Sequence, residues 1–384
     1  MRAVPRLLSV LLCMVLLPCL SGCWNYTEVD DMAIVAGVAI DRDKANGKIQ
    51  LTAEMVDIKG GLDQNHAGSK TLSLTGNTIF DIVRNMISIT GKKLFWSHAK
   101  SIIFSEDVAR GGLIKTIDWY SRDTETRSDV FIFVSSEPTA REVLNLKSTT
   151  EPIISFELAQ MMRDEKFTSS APTVEIWDFI DKLETSGKHA LAPLIQVHEQ
   201  NGQKNERVVG CAIFSKDKMI GKLNGKETKN VLFAKDDIKG GVLAVNDQKG
   251  VPTYSLEILS NRTKVKPKLV DGALTLQVKT ITHTNLDEVM TSESFSGNEN
   301  VSAIEERAGK ALQEEILSVI RKVQQEYHAD VFGYGEIIHE HQPGNWAKLR
   351  DNWDNEFAKM DITVNSKVII ESSAKTSRSI KMGD

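Results

Sequence analysis

Cysteine is scarce in this chain, and so is every motif that marks a common enzyme class. Of four cysteines in 384 residues, Cys13 and Cys19 lie in an N-terminal leader and Cys23 directly follows it, which leaves Cys211 alone in the body. One thiol cannot build a disulfide framework, so the fold must rest on packing. The 41% hydrophobic content is enough for that. There is no Gly-x-Ser-x-Gly elbow, no His-Glu-x-x-His, no Walker loop and no Cys-x-x-Cys, which removes the hydrolase, zincin, nucleotide-loop and thiol-redox readings that those motifs carry. Positive charge is not in excess either. Lys and Arg number 47 against 52 Asp and Glu, a net charge of −5, which argues against nucleic acid or anionic lipid as the main partner. Beyond the leader no stretch approaches the ~20 apolar residues of a membrane-spanning helix.

What is present begins at the N-terminus. Arg2 and Arg6 form a positive start, and Leu7–Leu17 is an apolar run broken only by Ser9 and closed by Pro18. The run is too short to cross a ~30 Å bilayer and reads as a secretory signal. Leu20-Ser21-Gly22-Cys23 follows it. Small residues at 21 and 22 let the chain enter a peptidase extended, and the Cys23 thiol can become a thioether to diacylglycerol. This is a bacterial lipobox. Cleavage between Gly22 and Cys23 and lipidation of Cys23 are expected, with the body on the outer face of the cytoplasmic membrane.

The patterning along the rest is mixed. Ala33–Asp41 and Lys48–Asp57 read as strands around a turn at 43–47, where Ala45 and the lack of a closing Glu speak against a calcium loop. Asn77 is a candidate cap for a helix with Ile79, Ile82, Val83, Met86 and Ile89 on one stripe. Short strands at 101–104 and 130–134 alternate with helices at 106–120, from Pro138 to Leu146, at 154–165 and at 173–185, the last with Val174, Trp177, Ile180 and Leu183 inward. Strands return at 191–199, 207–214, 218–223, 238–245, 253–259, 263–270 and 273–284, with a helix at 225–234. The strongest helix is 301–327, with apolar residues at steps of three or four from Val301 to Tyr327. Residues 330–343 read as a turn, Trp346, Leu349, Trp353 and Phe357 as one helix face, and 361–371 as a closing strand.

The length calls for two or three domains. The expected division is a signal peptide at 1–22, a tether at 23–28, a strand-rich domain from 29–57 plus 188–262, a helix-rich domain at 58–187 and a last domain at 263–384. The fold class is α+β, with mixed and antiparallel sheets under packed helices. Chemistry is thin. His339 and His341 are the only close histidine pair and lack a third ligand, so no metal site is expected. Gly333-Tyr334-Gly335-Glu336 reads as a tight turn, 122–127 as a solvated charge run, and Cys211 as a buried small hydrophobe. No catalytic residue and no cofactor are implied.

Several segments resemble the Ger(x)C family, the lipoprotein C subunit of spore germinant receptors. They are Gly22-Cys23-Trp24 with Glu28 and 33–41; Leu94-Phe95-Trp96-Ser97-His98, where glycine would be expected at 97; Ala109-Arg110-Gly111-Gly112; Arg122-Asp123 with Glu125; and Gly221-Lys222-Leu223 with Glu227-Thr228. The most specific is Asp330-Val331-Phe332-Gly333-Tyr334-Gly335-Glu336, followed by Pro343, Trp346, Trp353 and Phe357. The resemblance implies a three-domain α+β fold and a non-catalytic subunit. It would act with two integral-membrane subunits, of A and B type, in the inner membrane of a spore, where the complex senses nutrients. Cys23 is the one functional residue that it carries over. The alternatives are an anchored solute-binding lipoprotein that holds the germinant itself, expected to show a cleft between two similar lobes, and an anchored cell-wall hydrolase.

Overall fold

The strand β1 (Met32–Arg42) is apolar on both faces, and that makes it a central strand. A computed structural model of the chain describes residue 28 and residues 31–57, 68–246, 252–290 and 298–372. The hairpin β1–β2 (Ile49–Asp57) closes through Asp43, whose carboxylate accepts from the Ala45 amide at 2.9 Å and from Asn46 at 2.8 Å, with Gly47 at φ 70°. This is the expected turn. Strand β3 (Gly68–Gly76) pairs with β2 on the outside.

On the other side of β1 the strands run parallel. β5 (Ser101–Ser105), β6 (Phe131–Ser135) and β7 (Leu191–Gln200) follow in that order, and β4 (Lys93–Phe95) pairs with the start of β1. The hairpins β8 (Gln203–Ser215) and β9 (Lys218–Leu223) complete a nine-stranded mixed sheet. Parallel neighbours need crossovers, and the helices supply them. α1 (Ile79–Thr90), α2 (Glu106–Gly111), α3 (Ile114–Arg122) and α6 (Ile176–Glu184) cover one face; α4 (Arg141–Leu144) and α5 (Ile154–Asp164) cover the other. Alternation along β5 and β6 feeds the two cores: Ile102, Phe104 and Ile132 on one side, Ile103 and Phe133 on the other.

The second sheet is β10 (Val242–Asn246), β11 (Pro252–Val270), β12 (Ala273–Val289) and β13 (Ile362–Ser372), in that order. The helix α8 (Asn298–Lys322) lies on it. Gly309 lets α8 approach, because a Cβ there would stand 2.9 Å from the Ser366 carbonyl oxygen. α7 (Gly225–Ala234), α9 (Tyr334–His341), α10 (Pro343–Leu349) and α11 (Trp353–Lys359) close the same core. Leu191, Cys211, Ile213 and Leu223 of the first sheet are members of that core, so the two sheets share it.

Several expectations need correction. β1 and β2 share one sheet with β7, β8 and β9, but β5 and β6 of the supposed helical domain sit between them. A short apolar strand followed by a helix is a crossover unit, and its strand enters the middle of a sheet. Residues 242–246 and 252–262 belong to the second sheet, where β11 runs unbroken from 252 to 270. Thr78 rather than Asn77 caps α1, its hydroxyl accepting from the Asp81 amide at 3.2 Å, and Ile89 is exposed beyond the stripe. α4 begins at Arg141, after Pro138. In α6, Ile176 and Phe179 are inward while Trp177 is exposed. Residues 334–341 are helical where a turn was expected, and the long helix ends in a π turn over Val323–Tyr327.

Candidate functional site

The expected site residues Gly22 and Cys23 lie outside the described residues. The other singled-out residues turn out to be architectural. Cys211 is fully buried, hydrogen-bonded by Thr228 at 3.3 Å, and burial pushes its thiol up to about 12, so it is no nucleophile. His339 and His341 lie two apart on α9, both exposed, and among the described residues no group of three ligating side chains is placed for a metal. Arg122 pairs with Asp118, Arg127 with Asp129 and Glu125 with Lys93, all at the surface.

The segment around 330–357 has a specific geometry. Asp330 is wholly buried, and its carboxylate accepts from the amides of Phe332 at 3.1 Å and Gly335 at 2.7 Å and from the Trp353 indole at 3.2 Å. Burial raises the acid to about 6 against these three donors. Its own carbonyl accepts from the His189 amide at 2.9 Å, which ties the segment to the linker between α6 and β7. The linker passes close: Gly187 has φ 82°, and a Cβ there would lie 2.5 Å from the Trp346 ring. A Cβ on Gly335 would lie 2.8 Å from the Gly187 carbonyl oxygen. Asp330, Gly335, Trp346 and Trp353 thus form a bolt between the two sheets.

Beside this bolt lies an open cleft of about 440 Å³, walled by Leu183–Ala190, Lys216 and Arg350–Asn355. His189 faces it. Its Nε2 is 3.7 Å from Asp354, its Nδ1 has no partner, and burial lowers its basicity while Asp354 opposes that shift. The cleft size suits a small polar solute, but it lies between unlike sheets rather than similar lobes.

Buried carboxylates recur elsewhere as long-range caps. Asp41 accepts from the amides of Ala140 at 2.7 Å and Arg141 at 3.0 Å. Glu54 accepts from the first amides of α5, Ile154 at 3.2 Å and Ser155 at 3.0 Å, and Glu157 accepts from Thr149 at 2.8 Å and Thr150 at 3.1 Å. Glu206, only 5% exposed, shares this region with neither oxygen partnered, and burial first and then Glu157 and Glu54 raise it to about 7. A Glu inside the apolar run 51–56 was the available signal for this group, and sequence reasoning passed it over.

The remaining motif residues also position backbone. Gly221 lies under the Tyr327 ring, where a Cβ would meet the ring carbon at 2.1 Å. Glu227 completes a capping box with Asn224 on α7 and pairs with Lys322 at 2.8 Å.

Comparison with known proteins agrees with these motifs. Residues 25–197 match the family described as "Spore germination protein N-terminal domain", and residues 209–374 match "Spore germination B3/GerAC like, C-terminal". The chain is 26% identical over 399 residues to "Spore germination protein YndF" of Bacillus subtilis (strain 168), covering 96% of each chain. It is 24% identical over 405 residues to "Spore germination protein KC" of the same strain, covering 99% of this chain and 97% of that one. It is 26% identical over 372 residues to that strain's "Spore germination protein A3", covering 94% and 96%. The solved structure described as "Crystal Structure of the GerBC protein" shares the fold, with a TM-score of 0.56 and 20% identity over 87% of this chain and 97% of that chain. With both halves matched in order, and with an α+β fold of the same kind, the chain belongs to the Ger(x)C family and has its role in spore germination.

Proposed function

We propose that this chain is the lipid-anchored, non-catalytic C-type subunit of a spore nutrient germinant receptor, acting with two integral-membrane subunits of A and B type. One observation carries the reading: the likeness to germination proteins runs through both halves, and a complete lipobox ends at Cys23, just ahead of β1. Nine residues from Cys23 to Met32 reach at most about 30 Å, so lipid on Cys23 would hold the body at the outer surface of the cytoplasmic membrane, which becomes the spore inner membrane. Each buried CH2 of the lipid contributes about 0.8 kcal/mol, and two chains hold far better than one. No helix among the described residues is long and apolar enough to cross a membrane.

Such a subunit would act by contact. Docked beside its membrane partners, it shifts their equilibrium only if its contacts differ between resting and triggered states. The alternative, that this chain itself holds the germinant, would use the cleft beside His189. Micromolar binding of a germinant to the unlipidated mature chain, read by calorimetry, would favour it.

The test has two parts. Mass spectrometry should find diacylglycerol on an N-terminal Cys23, and Cys23→Ala should release the protein and blunt nutrient germination while vegetative growth stays normal. Crosslinking in intact spores should bring down two integral-membrane proteins. An unmodified N-terminus elsewhere, or a growth defect in place of a germination defect, would overturn the proposal.

A further inference from the structure

The overall charge of −5 conceals a basic face. Beyond its pairing with β10, the strand β11 continues with β12 as a long twisted ribbon to the turn Asp271-Gly272. Side chains on a strand alternate, so Arg262, Lys264, Lys266 and Lys268 share one face of β11, and all four are exposed. Register extends the face across the sheet. Lys279 of β12 lies directly opposite Lys264, and Lys367 of β13 lies opposite Ile281. Among the described residues none of these six cations is held in an ion pair.

One acid borders this half of the face: Asp361, exposed just ahead of β13, whose carbonyl accepts from the Leu276 amide at 3.0 Å and which the register places beside Thr275. The other positions of this half are Thr275, Gln277, Ile281, Thr363 and Asn365. The other nearby acids lie off this half: Asp236 at the strand edge, bonded to the Thr263 amide at 2.6 Å, Asp271 in the turn, and Glu257 and Glu371 at the far end of the sheet, so six cations face a single carboxylate. The ribbon ends in apolar side chains, Leu269 at 61% and Val270 at 50% exposure.

Like charges directly opposite in a sheet destabilise it, so the Lys264–Lys279 pair costs the isolated fold stability. An anionic surface laid against the face would remove that cost. From Arg262 to Lys268 the row runs about 20 Å, a width that spans several lipid headgroups. The apolar tip suits the boundary between headgroups and acyl chains, where amphipathic surfaces seat their apolar residues.

We propose that this face of the β11–β13 sheet docks on the anionic lipid surface of the membrane, with the Leu269–Val270 tip entering the headgroup layer. The inference rests on the reading that Cys23 lipid keeps the chain at that membrane. It adds a second contact, which would fix the orientation of a body otherwise free to swing on its tether. Membrane attachment generally needs two such signals, a lipid and a basic patch being one combination.

The test uses the mature chain with Cys23→Ser, which carries no lipid, and vesicle co-sedimentation. Mixed phosphatidylglycerol and phosphatidylcholine vesicles should bind it at low salt, pure phosphatidylcholine vesicles should not, and about 0.5 M salt should release it, since screening then acts within a few ångströms. The K264Q/K266Q/K268Q/K279Q variant should bind roughly a thousandfold more weakly at low salt, the order expected for four cations leaving an anionic surface at about 1 kcal/mol each. A control with four other exposed lysines changed, K204Q/K218Q/K239Q/K359Q, should bind like the parent, and circular dichroism should show both variants folded. Leu269→Asn, which removes the apolar contact without adding charge, should weaken binding without changing its salt dependence. Absence of binding to the anionic vesicles, or equal loss in both lysine sets, overturns the proposal. Because no lipid is on the protein, that failure leaves the Cys23 reading standing, and an unmodified N-terminus in spores would refute the anchor without touching the vesicle result.

Discussion

Replacing Glu206 by Gln should stabilise the protein above neutral pH and leave it unchanged in acid. Glu206 is 5% exposed on β8, and neither carboxylate oxygen has a partner. Glu157 and Glu54 stand nearby as two further buried carboxylates, their own oxygens occupied by amides and hydroxyls. Burial and these neighbours raise the Glu206 acid from 4.5 to about 7. In the unfolded chain the group ionises near 4.5, so between 4.5 and 7 the folded state binds the extra proton. Stability is therefore highest below 4.5 and falls as pH rises through 7, by about 3 kcal/mol for one such group. Gln keeps the shape, cannot ionise and offers Glu157 a donor. Urea unfolding of the unlipidated mature chain at pH 5 and pH 8 reads the effect. Glu206→Gln should unfold at clearly higher urea than the parent at pH 8, and at nearly the same urea at pH 5. An equal gain at both values, or a loss at pH 8, would show that Glu206 is not held against its ionisation.

Gly187→Ala should cost about 2 kcal/mol or more, because φ 82° strains an L-residue and the new Cβ enters the Trp346 ring; unchanged unfolding and unchanged tryptophan emission would refute the close approach. Trp353→Phe removes one of the donors to Asp330 and should cost about 1–2 kcal/mol. That cost should be larger at pH 8 than at pH 5, since an acid already raised to about 6 rises further when a donor is lost, and a pH-independent cost would refute the bond.

Much of the fold was legible because its signals are local. The turn at 43–47, the capped helix at 225–234 and the long helix beginning near 300 all declare themselves within a few residues. The helix 334–341 was not legible: Gly335 and two histidines lower its local propensity, and it exists because Tyr334 and Ile338 are buried in the shared core. Trp177 and Phe179 were confused for a similar reason. Both suit an apolar stripe, and only the packing of Phe179 against Phe214 decides which turns inward. The glutamate group at 54, 157 and 206 joins residues about 100 and 50 positions apart, and no spacing rule reaches that far.

By itself the sequence determined the family and the α+β class, because each rests on contiguous residues or on periodicity within one element. Tertiary structure decided the rest. It put β5 and β6 at the centre of the first sheet, set Asp330 and Trp353 as a bolt against the 187–189 linker, and gathered six cations on one face of an acidic protein. Strand order and register arise from long-range pairing, so charge counts and local propensities average over the very arrangement that produces these surfaces.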